Sequence, residues 1–135
     1  ACRESHLSVI KIAKEREYNR ILILEDDVEF QVDPNEILGI NIDISNDWDM
    51  LYFGGLVEHH FRNQIVCAHA YAVSSKMYDD IINMCTASGM EIDNFYAKIL
   101  HHMSYNYNQS GKYNIRMTIP FDTIKQNKSF VSNIR

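Results

Sequence analysis

Residues 20–30 read RILILEDDVEF, and no other stretch constrains the fold as strongly. The apolar run at 21–24 is unbroken, half β-branched and too short for a helix. Being apolar on both faces, it predicts an interior strand of a mainly parallel sheet covered on both sides. Three carboxylates follow at once: Glu25, Asp26 and Asp27. In open α/β sheets, ligands bind just beyond the carboxyl ends of the strands. Acids gathered there repel one another unless a cation sits among them, so the stretch predicts a divalent metal, Mn²⁺ or Mg²⁺.

The remaining pattern alternates helices with short strands. Ser5 can cap a helix reaching about Glu17, with Leu7, Ile10 and Ala13 on one face. Asp33-Pro34 and Gly39 bracket a short helix over 35–38. DMLYF at 49–53 predicts a second buried strand, ended by Gly54-Gly55, and 59–64 a loop. IVCAHAYAV at 65–73 predicts one strand or two short ones. Ser75 then opens a helix that Gly89 closes, and Asp93 opens another carrying Phe95, Tyr96, Ile99, Leu100 and Met103 inward. A polar loop at 105–113, a last strand at 114–119 and a polar surface tail complete a single α/β domain over 1–135.

Composition removes several classes of partner. A formal net charge of -5 without a basic stripe argues against nucleic acid. No apolar run approaches the ~20 residues of a membrane span. Three cysteines at wide spacing fit buried free thiols better than a disulfide framework or a zinc site. The expected compartment is the cytoplasm, with the ER lumen as the alternative.

Other proteins end a strand in acids, and they are separable here. A receiver domain needs a phosphorylatable aspartate where this chain has Gly54. A P-loop ATPase needs GxxxxGK[ST], which is absent. A nucleotide-sugar transferase needs a D-x-D-like cluster to hold a metal against the donor diphosphate, which residues 25–27 supply.

That third class is also where the wider sequence points. Ala1-Cys2 with Ser5-His6, LILEDDVEF at 22–30, DWDMLYFG at 47–54, HAYAVS at 69–74 and Ile92-Asp93 resemble, in order, the blocks of glycosyltransferase family 25. That group holds lipopolysaccharide and procollagen galactosyltransferases. Pro120 and the tail at 126–134 are loosely similar to its closing segment. The resemblance implies a GT-A-type, Rossmann-like domain, apparently lacking the βα units that precede the C-x-x-S-H block, so a missing N-terminal segment or partner chain is expected. It further implies a UDP-sugar donor carrying galactose or glucose, a hydroxyl acceptor on a glycan or protein, and inversion at the anomeric carbon. The rival reading is a non-catalytic remnant serving as an interaction or scaffold module.

Candidate roles follow. Asp26 and Asp27 are the metal ligands, and Glu25 contacts ribose or metal-bound water. Asp93 is the general base or a helix N-cap, two roles that can coexist, with Glu91 in reserve. Gly54 and Gly55 allow close substrate approach or make a plain turn. His69 and Tyr71 line the sugar pocket or sit in the core. Asp47-Trp48-Asp49 is a literal D-x-D, but it precedes its strand and is expected to turn or cap the chain. His6 is read as structural, and the pairs His59-His60 and His101-His102 as surface residues.

Overall fold

A computed structural model describes residues 2–33, 48–55, 57–58, 64–65, 67–104, 111–118 and 124–126. The helix expected at 35–38, Asp47, the His59-His60 pair, most of the loop at 105–113 and the tail beyond 126 lie outside the described residues.

Helix α1 (Cys2–Glu15) buries Leu7, Ile10 and Ala13 on the face their spacing predicts. It begins ahead of Ser5, which therefore lies inside the first turns rather than capping them. Glu17 ends it in the left-handed region at φ 57, letting the Tyr18 N–H reach back to the Ala13 carbonyl at 3.0 Å.

Strands β1 (Arg20–Leu24), β2 (Val28–Phe30), β3 (Met50–Tyr52), β4 (Val57–Glu58), β5 (Gln64–Ile65) and β6 (Ala70–Ser74) follow. The helical segment after β6 is a 3-10 turn at Ser75–Met77 and then α2 (Tyr78–Ser88), closed by the left-handed Gly89. The N-cap of that segment is Ser74, one residue earlier than expected, and its side chain makes no capping bond. Helix α3 (Ile92–Phe95) continues into a wider π turn at Tyr96–Leu100 and a 3-10 turn at His101–Met103. Strands β7 (Ile115–Met117) and β8 (Ile124–Gln126) come last.

The main sheet has the order β1-β6-β3-β7. Strand β6 runs antiparallel to both β1 and β3, and only β3 and β7 are parallel. The expected mainly parallel sheet is corrected: it is mixed, with antiparallel pairing dominant among the described strands. Nor is β1 interior. It lies at an edge of the described sheet, with Ile23 buried but Leu22 and Leu24 exposed at 45% and 39%. An apolar run cannot tell an edge strand with one covered face from a strand covered twice. One consequence of the insertion of β6 matters for the site: β1, β3 and β7 all point the same way.

Alternation along the strands makes two cores. Met50, Tyr52, Tyr71 and Val73 face the helices with Ile10, Ile81, Phe95 and Leu100. Leu51, Phe53, Ala70 and Ala72 face the other way, with Trp48 and Ile124. Ile124 belongs to β8, which pairs antiparallel with β2, so the stretch read as polar surface tail contributes a buried anchor. The sequence signal there is one apolar residue.

His101, expected at the surface, is buried, and its Nε2 shares a 2.8 Å hydrogen bond with the Tyr52 hydroxyl. Its neighbour His102 is exposed. Burial, with His102 adding, lowers the His101 pKa from 6.5 to about 4. Below the ordinary value the unfolded chain takes up a proton that the folded chain refuses. Stability should therefore fall as pH drops from 6.5 to about 4, by about 3 kcal/mol in all. Urea melts at the two ends of that window should show this loss in the parent and a clearly smaller one in His101→Gln. Equal losses would assign the pH dependence to other groups.

Candidate active site at the carboxyl ends of β1 and β3

Three elements converge on one sheet edge. The Glu25 N–H donates to the His69 carbonyl at 2.9 Å, extending the β1–β6 ladder past Leu24, and the Phe53 N–H donates to Ala70 at 3.1 Å. Glu25, His69 and Gly54 are thus neighbours across the ends of β1, β6 and β3. Asp26 and Asp27 form the turn from β1 into β2. Asp26 is exposed, whereas Asp27 is only 8% exposed. Asp27 accepts a 2.8 Å hydrogen bond on Oδ2 from the Gln126 amide of β8. The β2–β8 ribbon therefore steers this carboxylate. Gln126 is a partner of the acid block that sequence reasoning missed, because a lone Gln in a polar stretch carries no signal of its own.

Glu25 is half-buried, and its Oε2 lies 4.0 Å from His6 Nε2. On the far side of the ring, His6 Nδ1 is 2.7 Å from the Tyr71 hydroxyl, itself 2.7 Å from that of Tyr96. The chain Glu25–His6–Tyr71–Tyr96 links an acid of the edge to the core under α1 and α3. Such a buried network is rigid when its members are satisfied. His6 is structural as expected, and it stands behind the acids. Tyr71 is fully buried, stacked on His6 at an interplanar angle of 7° and edge-on to Tyr96, so its ring faces are enclosed by protein. His69 is also buried, and its Nε2–H donates to the Ile124 carbonyl at 3.1 Å, tying β6 to β8.

Asp93 is half-buried in the first turn of α3. It is not the N-cap: Glu91 holds that position, exposed and without a side-chain capping bond. Asp93 instead accepts the Asn94 N–H at 2.8 Å. The Tyr52 phenol, in the core beside His101, is raised well above its ordinary pKa, first by burial and then by Tyr96, Asp93 and Cys67. Gly54 is buried, and Gly55 has φ 154, a backbone region essentially reserved for glycine. Asp49, expected to turn or cap the chain, instead ties β3 to its neighbours, accepting the Asn114 N–H at 2.8 Å and pairing with Lys76.

Residues 1–79 match the family described as Glycosyltransferase family 25 (LPS biosynthesis protein). The chain belongs to that family. The match covers α1, the acid-ended β1, β3 and β6, which supply most of the edge just described. No curated protein and no solved structure matches the chain. Membership in a glycosyltransferase family implies a sugar donor and an acceptor as substrates. None of the described helices is long and apolar enough to cross a membrane.

Proposed function

We propose that this chain transfers a hexose, galactose or glucose, from a UDP-sugar to a hydroxyl of a glycan or protein, with inversion, using a divalent cation held at the end of β1. The observation that carries the reading is Asp27. It is a buried carboxylate in the family's acid block, held by the Gln126 amide in the turn that leaves β1.

The residues present fit a cation of the Mn²⁺ or Mg²⁺ kind. Asp26 and Asp27 offer hard oxygen ligands, and no group of three or more His, Cys, Asp or Glu converges among the described residues. Such ions commonly take one or two carboxylates, with water and substrate phosphates completing the shell. When bound, the cation would supply charge neutralisation for the departing diphosphate.

The chain's own groups account for the rest. Glu25, 4.0 Å from His6, accepts hydrogen bonds from ribose. Gly54 and Gly55 let the donor approach the backbone closely. Asp93 takes the proton from the acceptor hydroxyl, with Glu91 as the alternative acid on the same turn. Holding donor and acceptor in line reduces the reaction to a single displacement.

A thermal-shift titration with UDP tests the reading. At a hundredfold excess over Kd, UDP with Mn²⁺ should raise Tm by on the order of 10 °C, from about 2.7 kcal/mol of linkage. UDP without metal should move it far less. A chain that ignores UDP under both conditions would instead be a scaffold module.

A further inference from the structure

At the opposite edge of the same sheet, where β1 begins and β6 ends, register pairs Arg20 with Ser74, and Trp48 and Asp49 lead into β3 beside them. These residues, with Lys76, wall a cavity of about 530 Å³. That volume lies within the range of small-ligand pockets. The length of β1 separates it from the acids, about 15 Å at the usual rise per strand residue.

The wall is rich in donors. Ser74 and Trp48 are 9% and 8% exposed, and neither the Ser74 hydroxyl nor the Trp48 indole nitrogen has a hydrogen-bond partner among the described residues. A buried donor left unsatisfied costs about 1–3 kcal/mol. Two beside one cavity point to an acceptor that enters it. Charge agrees: the Arg20 guanidinium lies 4.8 Å from the Trp48 ring centroid, and Lys76 stands at the start of the helical segment leading into α2. The positive end of that segment adds to the field. The one carboxylate on the wall among the described residues, Asp49, is committed to the Asn114 N–H and to Lys76 at 3.5 Å.

We infer that this cavity binds a phosphate group, free or as the monoester of a small molecule, through the Ser74 hydroxyl and the Trp48 N–H, with the Arg20 guanidinium beside the indole supplying positive charge. The site is independent of the transferase reading, since no residue of its wall belongs to the acidic edge.

Trp48 is the chain's single tryptophan, so ¹⁵N-labelled protein gives one indole cross-peak. Titration with inorganic phosphate at constant ionic strength should move that peak saturably. Ser74→Ala and Arg20→Gln should each weaken the response about tenfold, roughly 1.4 kcal/mol. Ser74→Ala deletes an unsatisfied hydroxyl, so without phosphate it should melt no lower than the parent, which separates lost binding from lost folding. A parallel titration with a hexose phosphate distinguishes the sources. Tighter binding of the ester assigns the site to a phosphomonoester, and equal binding to free phosphate. An indole peak that stays still, drifts without saturating, or responds in both variants as it does in the parent overturns the inference.

Discussion

Asp27→Ala should lower the rate of hexose transfer by about three orders of magnitude, or roughly 4 kcal/mol of transition-state stabilisation. The reasoning begins with burial. Asp27 is enclosed and held by Gln126, whereas Asp26 in the same turn is exposed. Removing Asp27 takes away the oriented oxygen donor, and Asp26→Ala should cost less. Gln126→Ala leaves both acids and removes only the amide that steers Asp27. Its expected loss is about 10- to 100-fold, as for partners that orient a metal ligand. Initial rates with a UDP-hexose across a Mn²⁺ series test the order Asp27, Asp26, Gln126. Full activity in Asp27→Ala would remove the cation from the end of β1. Asp27→Asn keeps the shape and can still accept from Gln126, so its loss reports charge rather than folding.

Gly111→Ala should be the most damaging single methyl addition to stability. A Cβ there would lie 2.4 Å from the Ser104 carbonyl carbon, 2.5 Å from its oxygen and 2.6 Å from the Met103 oxygen. All three are backbone atoms, so no side chain can swing aside. The same segment is fastened by the Tyr113 N–H to Met103 at 3.2 Å and by a parallel bridge between Ser104 and Tyr113. Relief of the clash must therefore disturb the start of the path into β7. A loss of about 3 kcal/mol is expected, the upper end for overpacking. Gly89→Ala is the control. It meets nothing within 4 Å, and its φ of 68 leaves only a left-handed penalty of about 1 kcal/mol. Chemical denaturation of the two variants should separate them by about 2 kcal/mol. Equal midpoints would place Gly111 in a looser path than the one described.

Local features were legible residue by residue. Leu7, Ile10 and Ala13 mark the buried face of α1, and Gly89 marks the end of α2, because helical period and a left-handed cap are written in adjacent residues. The acid block at 25–27 and its place after a strand were legible for the same reason. Where several roles competed for one residue, local reading erred. Asp93 looks like a cap, yet Glu91 takes that position. His101 looks like half of a surface pair, yet it lies under Tyr52. Ile124 and Gln126 look like tail, yet they close the second core and steer Asp27.

By itself, the order of residues determined the main helices, the strands at β1, β3 and β6, the family, and the acids that leave the first strand. Each of those depends on neighbours a few positions apart. Only the tertiary structure decided that β6 inserts antiparallel between β1 and β3, that His6 stands behind Glu25, and that Gln126 meets Asp27 across 99 positions. The physical reason is that strand order and burial are chosen by the free energy of the whole packed chain, to which no short window of sequence has access.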